Sequence, residues 1–321
     1  MAVYTEVSRS ELAHFLGRFE AGELVAFSGI KQGIENTNYR VKTTTGTFVL
    51  TLFERRVAEN DLPFFLALMA HLDKNGVPCP APIADKSGAT LFNLNGRPTA
   101  LFPFLPGDWP KTVTADHCRT LGAVLARFHL ATATLEQFRA NGLSVRHWRS
   151  LLEASRQTAE ELKPGLAAAM LDELEELETQ WPDDLPSGVI HADLFPDNVF
   201  FEDGKIVGLL DFTFACNDLL AYDLAICLNA WCFEKDGDFN LKKARSLKQG
   251  YEAVRPLTDT ENAALPLLCR AAAMRFFATR LYDWRNTPDG PITWRKDPLE
   301  CWNQLLAHRK LAGKAGETPY L

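Results

Sequence analysis

The sequence predicts an α+β fold in two lobes: a β-rich N-terminal lobe over 1–105 with one long helix, and a mainly helical C-terminal lobe over 106–321 with one β-hairpin. Three observations predict it. Short β-prone runs separated by turn residues fill most of the stretch from Glu23 to Phe104. Helical periodicity dominates after Thr114. Leu105-Pro106-Gly107 ends the first pattern abruptly, and Gly188 to Phe212 is the one later segment that breaks the helical run.

In chain order, Ser8-Arg9-Ser10-Glu11 reads as a capping box, followed by Leu12, Phe15, Leu16 and Phe19 on one helical stripe. Leu24 to Phe27, Asn38 to Lys42 and Thr47 to Phe53 read as strands. Glu59 to Lys74 reads as a helix stopped by Asn75-Gly76, and Pro78, Pro80 and Pro82 force an extended connection. Thr90 to Leu94 and Arg97 to Phe104 flank Asn95-Gly96, a pair suited to the positive φ of a two-residue hairpin turn. In the second lobe Leu121, Leu125 and Phe128 share a stripe, and the acidic run in the helix Leu166 to Thr179 reads as a solvated face. Leu219 to Phe233, Leu241 to Val254, Asn262 to Trp284 and Pro298 to Lys310 read as further helices.

The chain has 321 residues, 46% apolar and 23% charged, which excludes a disordered, collagen-like or coiled-coil protein. Its net charge of −7 argues against a nucleic-acid partner, because phosphate neutralisation needs a basic face. The longest apolar run, Phe64 to Ala70, is too short for a membrane span, and the N-terminus has no signal-peptide pattern. Seven cysteines without a C-x-x-C pair fit buried thiols, so the expectation is a soluble, cytoplasmic protein. Composition leaves its oligomeric state open.

The chemistry concentrates in Gly188 to Phe212. Val199 to Glu202 and Lys205 to Leu210 form a hairpin around Asp203-Gly204, which sets Asn198 opposite Leu209 and returns Asp211 to the same end, about 7 Å further along. His191 and Asp193 lie on the loop feeding that end, so four polar side chains converge in apolar surroundings. A carboxylate beside an amide oxygen suits Mg²⁺, with water and phosphate completing the shell. A second carboxylate can orient a hydroxyl and take its proton, the division of labour of phosphoryl transfer.

The string His191-Ala-Asp193-Leu-Phe-Pro-Asp197-Asn198, with Gly208-Leu-Leu-Asp211-Phe after it, resembles the catalytic loop and metal-binding strand end of the aminoglycoside phosphotransferase and choline kinase superfamily. The resemblance implies a protein-kinase-like fold, with ATP and Mg²⁺ as cofactors and a small-molecule substrate. It implies that Asp193 is the catalytic base, that His191 supports the loop, and that Asn198 and Asp211 hold the metal. The phrases GIENTNYRVKT, FVLTLFE, VPCPAPI and VIHADLFPDNVFF are most similar to the homoserine kinase branch, which implies phosphorylation of the L-homoserine hydroxyl in threonine biosynthesis. Choline, methylthioribose, hydroxylysine and aminoglycosides are the alternative acceptors. A metal-dependent hydrolase using His191, Asp193 and Asp211, or an inactive kinase-like binding module, are the readings from other classes.

In that frame Gly33, Asn36, Thr37 and Asn38 line the phosphate-covering loop, and Phe102 and Phe104 border the adenine. Kinase-like lobes place a cation on the third strand, paired with a helix acid. Here Thr51 stands in its place, leaving Lys42, Arg55 or Arg56 as substitutes and Glu59 as the helix acid. For the acceptor, residues 270 to 310 hold eight Lys or Arg against four acids, so an amino-acid carboxylate fits better than a polycation. Arg275 and Arg280 are candidates for the carboxylate, Asp218 or Asp223 for the ammonium, and Trp231 and Tyr282 for ring contacts.

Overall fold

The computed structural model describes residues 4–30, 36–54, 58–286 and 296–312. Helix α1 (Arg9–Leu16) starts at the expected capping box: the Glu11 amide donates to Ser8 Oγ at 3.3 Å, and the Ser8 amide donates to Glu11 Oε2 at 2.7 Å. Strands β1 (Leu24–Gly29), β2 (Thr37–Thr43), β3 (Thr47–Leu52), β4 (Phe92–Leu94) and β5 (Arg97–Pro103) form a five-stranded sheet in the order β1-β2-β3-β5-β4, its pairs all antiparallel. The turn between β4 and β5 has φ of 53° at Asn95 and 75° at Gly96, as that dipeptide favours.

Strand alternation sorts the sheet into two faces. Tyr39, Val41, Leu50, Leu52 and Leu101 pack with Leu12, Phe15 and Leu16 of α1 in a small core. The opposite face carries Asn38, Thr51 and Ala100 in register, with Phe102 two residues on. That face, together with helix α2 (Leu62–Lys74), joins the main core rather than forming its own. A single 3-10 turn, Glu59–Asp61, precedes α2, so the α-helix starts three residues later than its periodicity suggests.

The second half holds α3 (Ala115–Thr132), α4 (Val145–Ala154), α5 (Arg156–Leu162), α6 (Leu166–Gln180), α7 (Leu220–Cys232), α8 (Leu241–Glu252), α9 (Asp259–Asn286) and α10 (Pro298–Ala312). Leu121, Leu125 and Phe128 on α3 are fully buried, each contributing about 1.5–3 kcal/mol of apolar burial. The acidic run on α6 is not wholly solvated: Glu173 is buried and accepts from Arg270 of α9 and Arg309 of α10, while Glu176 pairs with the same two arginines. Two short strands escaped the sequence reading, β6 (Ser187–Ile190) and β9 (Cys216–Leu219), which pair antiparallel. Neither SGVI nor CNDL alternates, and their pairing spans a long sequence separation. Strands β7 (Val199–Glu202) and β8 (Lys205–Leu209) form the expected hairpin. The seven cysteines are free and buried, and no helix among the described residues is long and apolar enough to cross a membrane.

Candidate active site

The hairpin register differs from the ideal one in a way that shapes the site. Glu202 pairs with Lys205 and Phe201 with Ile206, but a bulge then pairs Phe200 with Gly208 and Val199 with Leu209. The bulged strand is also held from outside the hairpin. Phe201 exchanges both backbone bonds with Asp108, at 2.9 and 3.2 Å, and Gly107 allows this approach because a Cβ there would stand 2.5 Å from the Phe201 carbonyl. Asn198 therefore faces Leu210, not Leu209, and accepts its amide at 2.9 Å. The bulge brings Asn198 one residue closer to Asp211 along the hairpin.

The loop from β6 to β7 is held from below. Ala192 has φ 62°, a left-handed conformation that costs a non-glycine residue about 1–3 kcal/mol. The fully buried Asp223 of α7 accepts the His191 amide at 2.8 Å, the Ala192 amide at 2.9 Å and His129 Nε2 of α3 at 3.1 Å. Burial alone would raise the Asp223 carboxyl, but the hydrogen bond and charge of His129 outweigh it and hold it below the usual carboxylate range. From the other side, Arg275 of α9 donates to the Ala192 carbonyl at 2.8 Å. Trp231 Nε1 donates to the Leu194 carbonyl at 2.7 Å. His191 is buried, its Nε2 donating to the Leu210 carbonyl at 3.0 Å and its Nδ1 accepting the Asp193 amide at 3.3 Å. Burial lowers its pKa, so the ring is neutral.

Asp193 emerges from this clamp beside Asn198, whose Nδ2 donates to its carbonyl at 2.8 Å and lies 3.4 Å from its Oδ2. Burial pushes the Asp193 carboxyl up to about 7, against the opposing pull of Arg275, whose Nη1 lies 3.9 Å from Oδ1. A carboxyl tuned to that range can act as a base near neutral pH. The wall around it is aromatic: Arg275 lies over the rings of Phe214 and Phe276, and Phe276 meets Phe195 edge-on. Lys296 Nζ stands 5.4 Å over Phe195, and its charge also reaches Asp193.

Asp211, at φ 58°, is exposed, and its Oδ1 accepts the Thr213 hydroxyl at 2.6 Å. With the Asn198 Nδ2 turned to Asp193, the amide oxygen of Asn198 and the carboxylate of Asp211 remain as hard donors, a set that fits Mg²⁺ finished by water and phosphate oxygens. Among the described residues no three His, Cys, Asp or Glu side chains gather into a metal cluster.

In the N-terminal half, Thr51 donates to Asn38 Oδ1 at 2.7 Å across β2 and β3, so the third strand carries a hydroxyl–amide pair where a cation was sought. Thr37 is fully buried and donates to Glu54 Oε1 at 2.8 Å, which makes it an anchor for the strand rather than a phosphate donor. Asn36 Oδ1 accepts the Glu54 amide at 3.2 Å. Gly33, Arg55 and Arg56 lie outside the described residues; Lys42 is exposed at the far end of β2. Phe102 is buried in the main core, whereas Phe104 is 38% exposed with the Arg40 guanidinium 4.5 Å over its ring.

Four acceptor candidates, Asp223, Trp231, Arg280 and Asp218, are engaged within the fold. Asp223 is sealed beneath the loop, and Trp231 is 1% exposed, so both position the loop instead of meeting substrate. Arg280 is taken by Glu300 at 3.0 Å and the Asp297 carbonyl at 3.2 Å. Asp218 accepts Asn141 Nδ2 at 2.6 Å, and burial raises its pKa. Tyr282 stays half-exposed on α9. Of the basic stretch, Arg275 and Lys296 face Asp193; Lys296 was missed because nothing in its local sequence separates it from surface charge.

The phosphotransferase enzyme family matches residues 26–257. The chain belongs to this family. The phosphotransferase is 53% identical over 313 residues to a homoserine kinase of Rhodospirillum rubrum, covering 98% of each chain. It is 51% identical over 322 residues to a homoserine kinase of Agrobacterium fabrum, covering 99% of this chain and 100% of the relative. Among solved structures, the fold of the phosphotransferase is similar to an amicoumacin kinase in complex with AMP-PNP, with a TM-score of 0.69 at 16% identity, covering 95% of this chain and 94% of the other. It is also similar to a microcompartment-associated aminopropanol kinase, with a TM-score of 0.64 at 18% identity, covering 97% of this chain and 100% of the other. The protein-kinase-like fold follows.

Proposed function

We propose that the chain transfers the γ-phosphoryl group of ATP to the side-chain hydroxyl of L-homoserine, with Mg²⁺ held by Asn198 and Asp211. The observation that carries the reading is the Asp193 carboxyl set between the Asn198 amide and the Arg275 guanidinium, on a loop clamped by Asp223 and Arg275. Full-length similarity to homoserine kinases supports the acceptor.

The acceptor oxygen attacks the γ-phosphorus, its proton passes to Asp193, and the bond between that phosphorus and the bridging oxygen breaks to release ADP. Bound Mg²⁺ would neutralise charge on the phosphate oxygens. Asn198 and Asp211 offer the oxygens that would hold it, and the clamped loop keeps Asp193 aimed at the hydroxyl. Lys296 suits the homoserine carboxylate, whereas Arg275, buried and spent on the Ala192 carbonyl, positions the loop; cations this close to Asp193 disfavour choline or a polycationic aminoglycoside. The hydrolase reading loses a ligand, since both ring nitrogens of His191 are engaged inside the fold.

ADP release with L-homoserine and with 3-aminopropanol, which lacks the carboxylate, tests the reading. We expect kcat/KM to favour homoserine by about 10²-fold, because the charged partner would otherwise be left unpaired. Equal turnover of the two would overturn the amino-acid assignment.

A further inference from the structure

The third strand has no cation to hold helix α2, since Thr51 is spent on Asn38. Among the described residues Glu59, the acid expected to serve as its partner, makes no ion pair and is exposed. The head of α2 is held from elsewhere. Arg139, on the loop after α3, reaches Asp61 Oδ2 through Nε at 2.8 Å and through Nη2 at 2.8 Å. Its guanidinium lies 5.0 Å over the Phe65 ring, one turn into α2. The third nitrogen, Nη1, donates to the Ala215 carbonyl at 2.9 Å.

Ala215 closes the short turn that starts at Asp211. Its amide donates to the Phe212 carbonyl at 2.9 Å, and within the turn Asp211 Oδ1 accepts Thr213. The backbone of Arg139 is fixed as well. Its amide donates to Asn217 Oδ1 at 2.9 Å, and its carbonyl accepts the Asn217 amide at 2.6 Å. A planar guanidinium is suited to this task, because it presents donors in fixed directions while its face stacks on a ring. A lysine has one point of charge and cannot hold a carboxylate and a carbonyl in two directions with the same geometry.

We propose that Arg139 is a positioning residue that ties the head of α2 to the turn carrying Asp211, and so fixes the direction in which that carboxylate faces the nucleotide. The proposal rests on the metal role given to Asp211 above, and not on the identity of the acceptor. Arg139 and Asp61 spend their side chains on each other, on Phe65 and on the Ala215 carbonyl, and act through the 211–215 turn.

The test is calorimetric titration of the full chain with a non-hydrolysable ATP analogue, with and without Mg²⁺ and without acceptor. The variants are Arg139→Gln, Asp61→Asn and, as the reference for the metal, Asp211→Ala. Asp61 is partly exposed, so its amide replacement keeps the fold even where Arg139→Gln lowers the unfolding temperature. We expect Asp61→Asn and Arg139→Gln each to shrink the Mg²⁺-dependent gain in affinity about three- to ten-fold while leaving metal-free affinity unchanged. The double variant should lose no more than the worse single one, because both cut one link. An unchanged gain in Asp61→Asn, with Asp211→Ala showing the loss, overturns the link alone. An unchanged gain in Asp211→Ala overturns the metal reading and the link with it.

Discussion

Two non-glycine residues in the left-handed region, Ala192 and Asp211, bracket the loop that carries Asp193 and Asn198. Strain of this kind persists only where surrounding contacts over-determine it. Here Asp223 takes the two amides before the strained peptide and Arg275 takes the carbonyl after it. Asp193→Asn keeps the size and the neighbours of the side chain but cannot accept the proton. Steady-state kinetics should show kcat down by about 10²- to 10⁴-fold with nucleotide affinity nearly intact. Asp211→Ala removes the one carboxylate at the proposed metal position, and should raise the Mg²⁺ concentration for half-maximal rate well above that of Asn198→Ala, since an amide oxygen carries no full charge. Residue types and spacing made the loop legible; they could not show which acids were inside. Asp223 and Asp218 differ in role because of Ala192 and Asn141, neighbours far away in sequence.

Helices α3 and α8 touch backbone to backbone. A Cβ on Gly122 would stand 2.0 Å from the Leu247 carbonyl, and one on Gly250 would stand 2.0 Å from the Arg119 carbonyl. No side-chain adjustment relieves a clash with backbone oxygen, so Gly250→Ala must part the helices, at about 1–3 kcal/mol or more. The adjacent Tyr251 hydroxyl lies 2.7 Å from His129 Nδ1, and His129 holds Asp223. The expected outcome is therefore a lower unfolding temperature together with a lower kcat at saturating substrate; an unchanged melting curve would contradict it. Periodicity located both helices, and the Asn95-Gly96 and Asp203-Gly204 turns located both hairpins. It did not show that two glycines marked a helix contact. The hairpin bulge was equally hidden: the two-residue turn predicts an unbroken register, and the shift lies beyond it, at Phe200 and Phe201.

The main core runs from α2 and one sheet face through α3, α7 and α9, while the smaller core lies between α1 and the other face. At the far end, α10 is joined to α7 by His308, whose Nε2 lies 2.7 Å from Asn229 Oδ1. Burial lowers the His308 pKa to about 3 from an ordinary value of 6.5. Between these values the unfolded chain binds the extra proton, so this residue's contribution to stability falls as the pH drops below about 6.5, by about 1.4 kcal/mol per unit. Asp193, raised to about 7, acts in the opposite sense: its contribution falls as the pH rises from its unfolded value of 3.8 toward 7. Melting curves of wild type and His308→Gln separate the two. The variant keeps a donor for Asn229, and should lose less stability than wild type between about pH 7 and about pH 5. The central claim is the transfer itself, and ³¹P NMR of a reaction containing ATP, Mg²⁺ and L-homoserine tests it most directly. A phosphomonoester on the homoserine side-chain oxygen, formed one for one with ADP and absent with Asp193→Asn, is the predicted result. ADP accompanied by inorganic phosphate alone, or the same ester at an undiminished rate from Asp193→Asn, would contradict it.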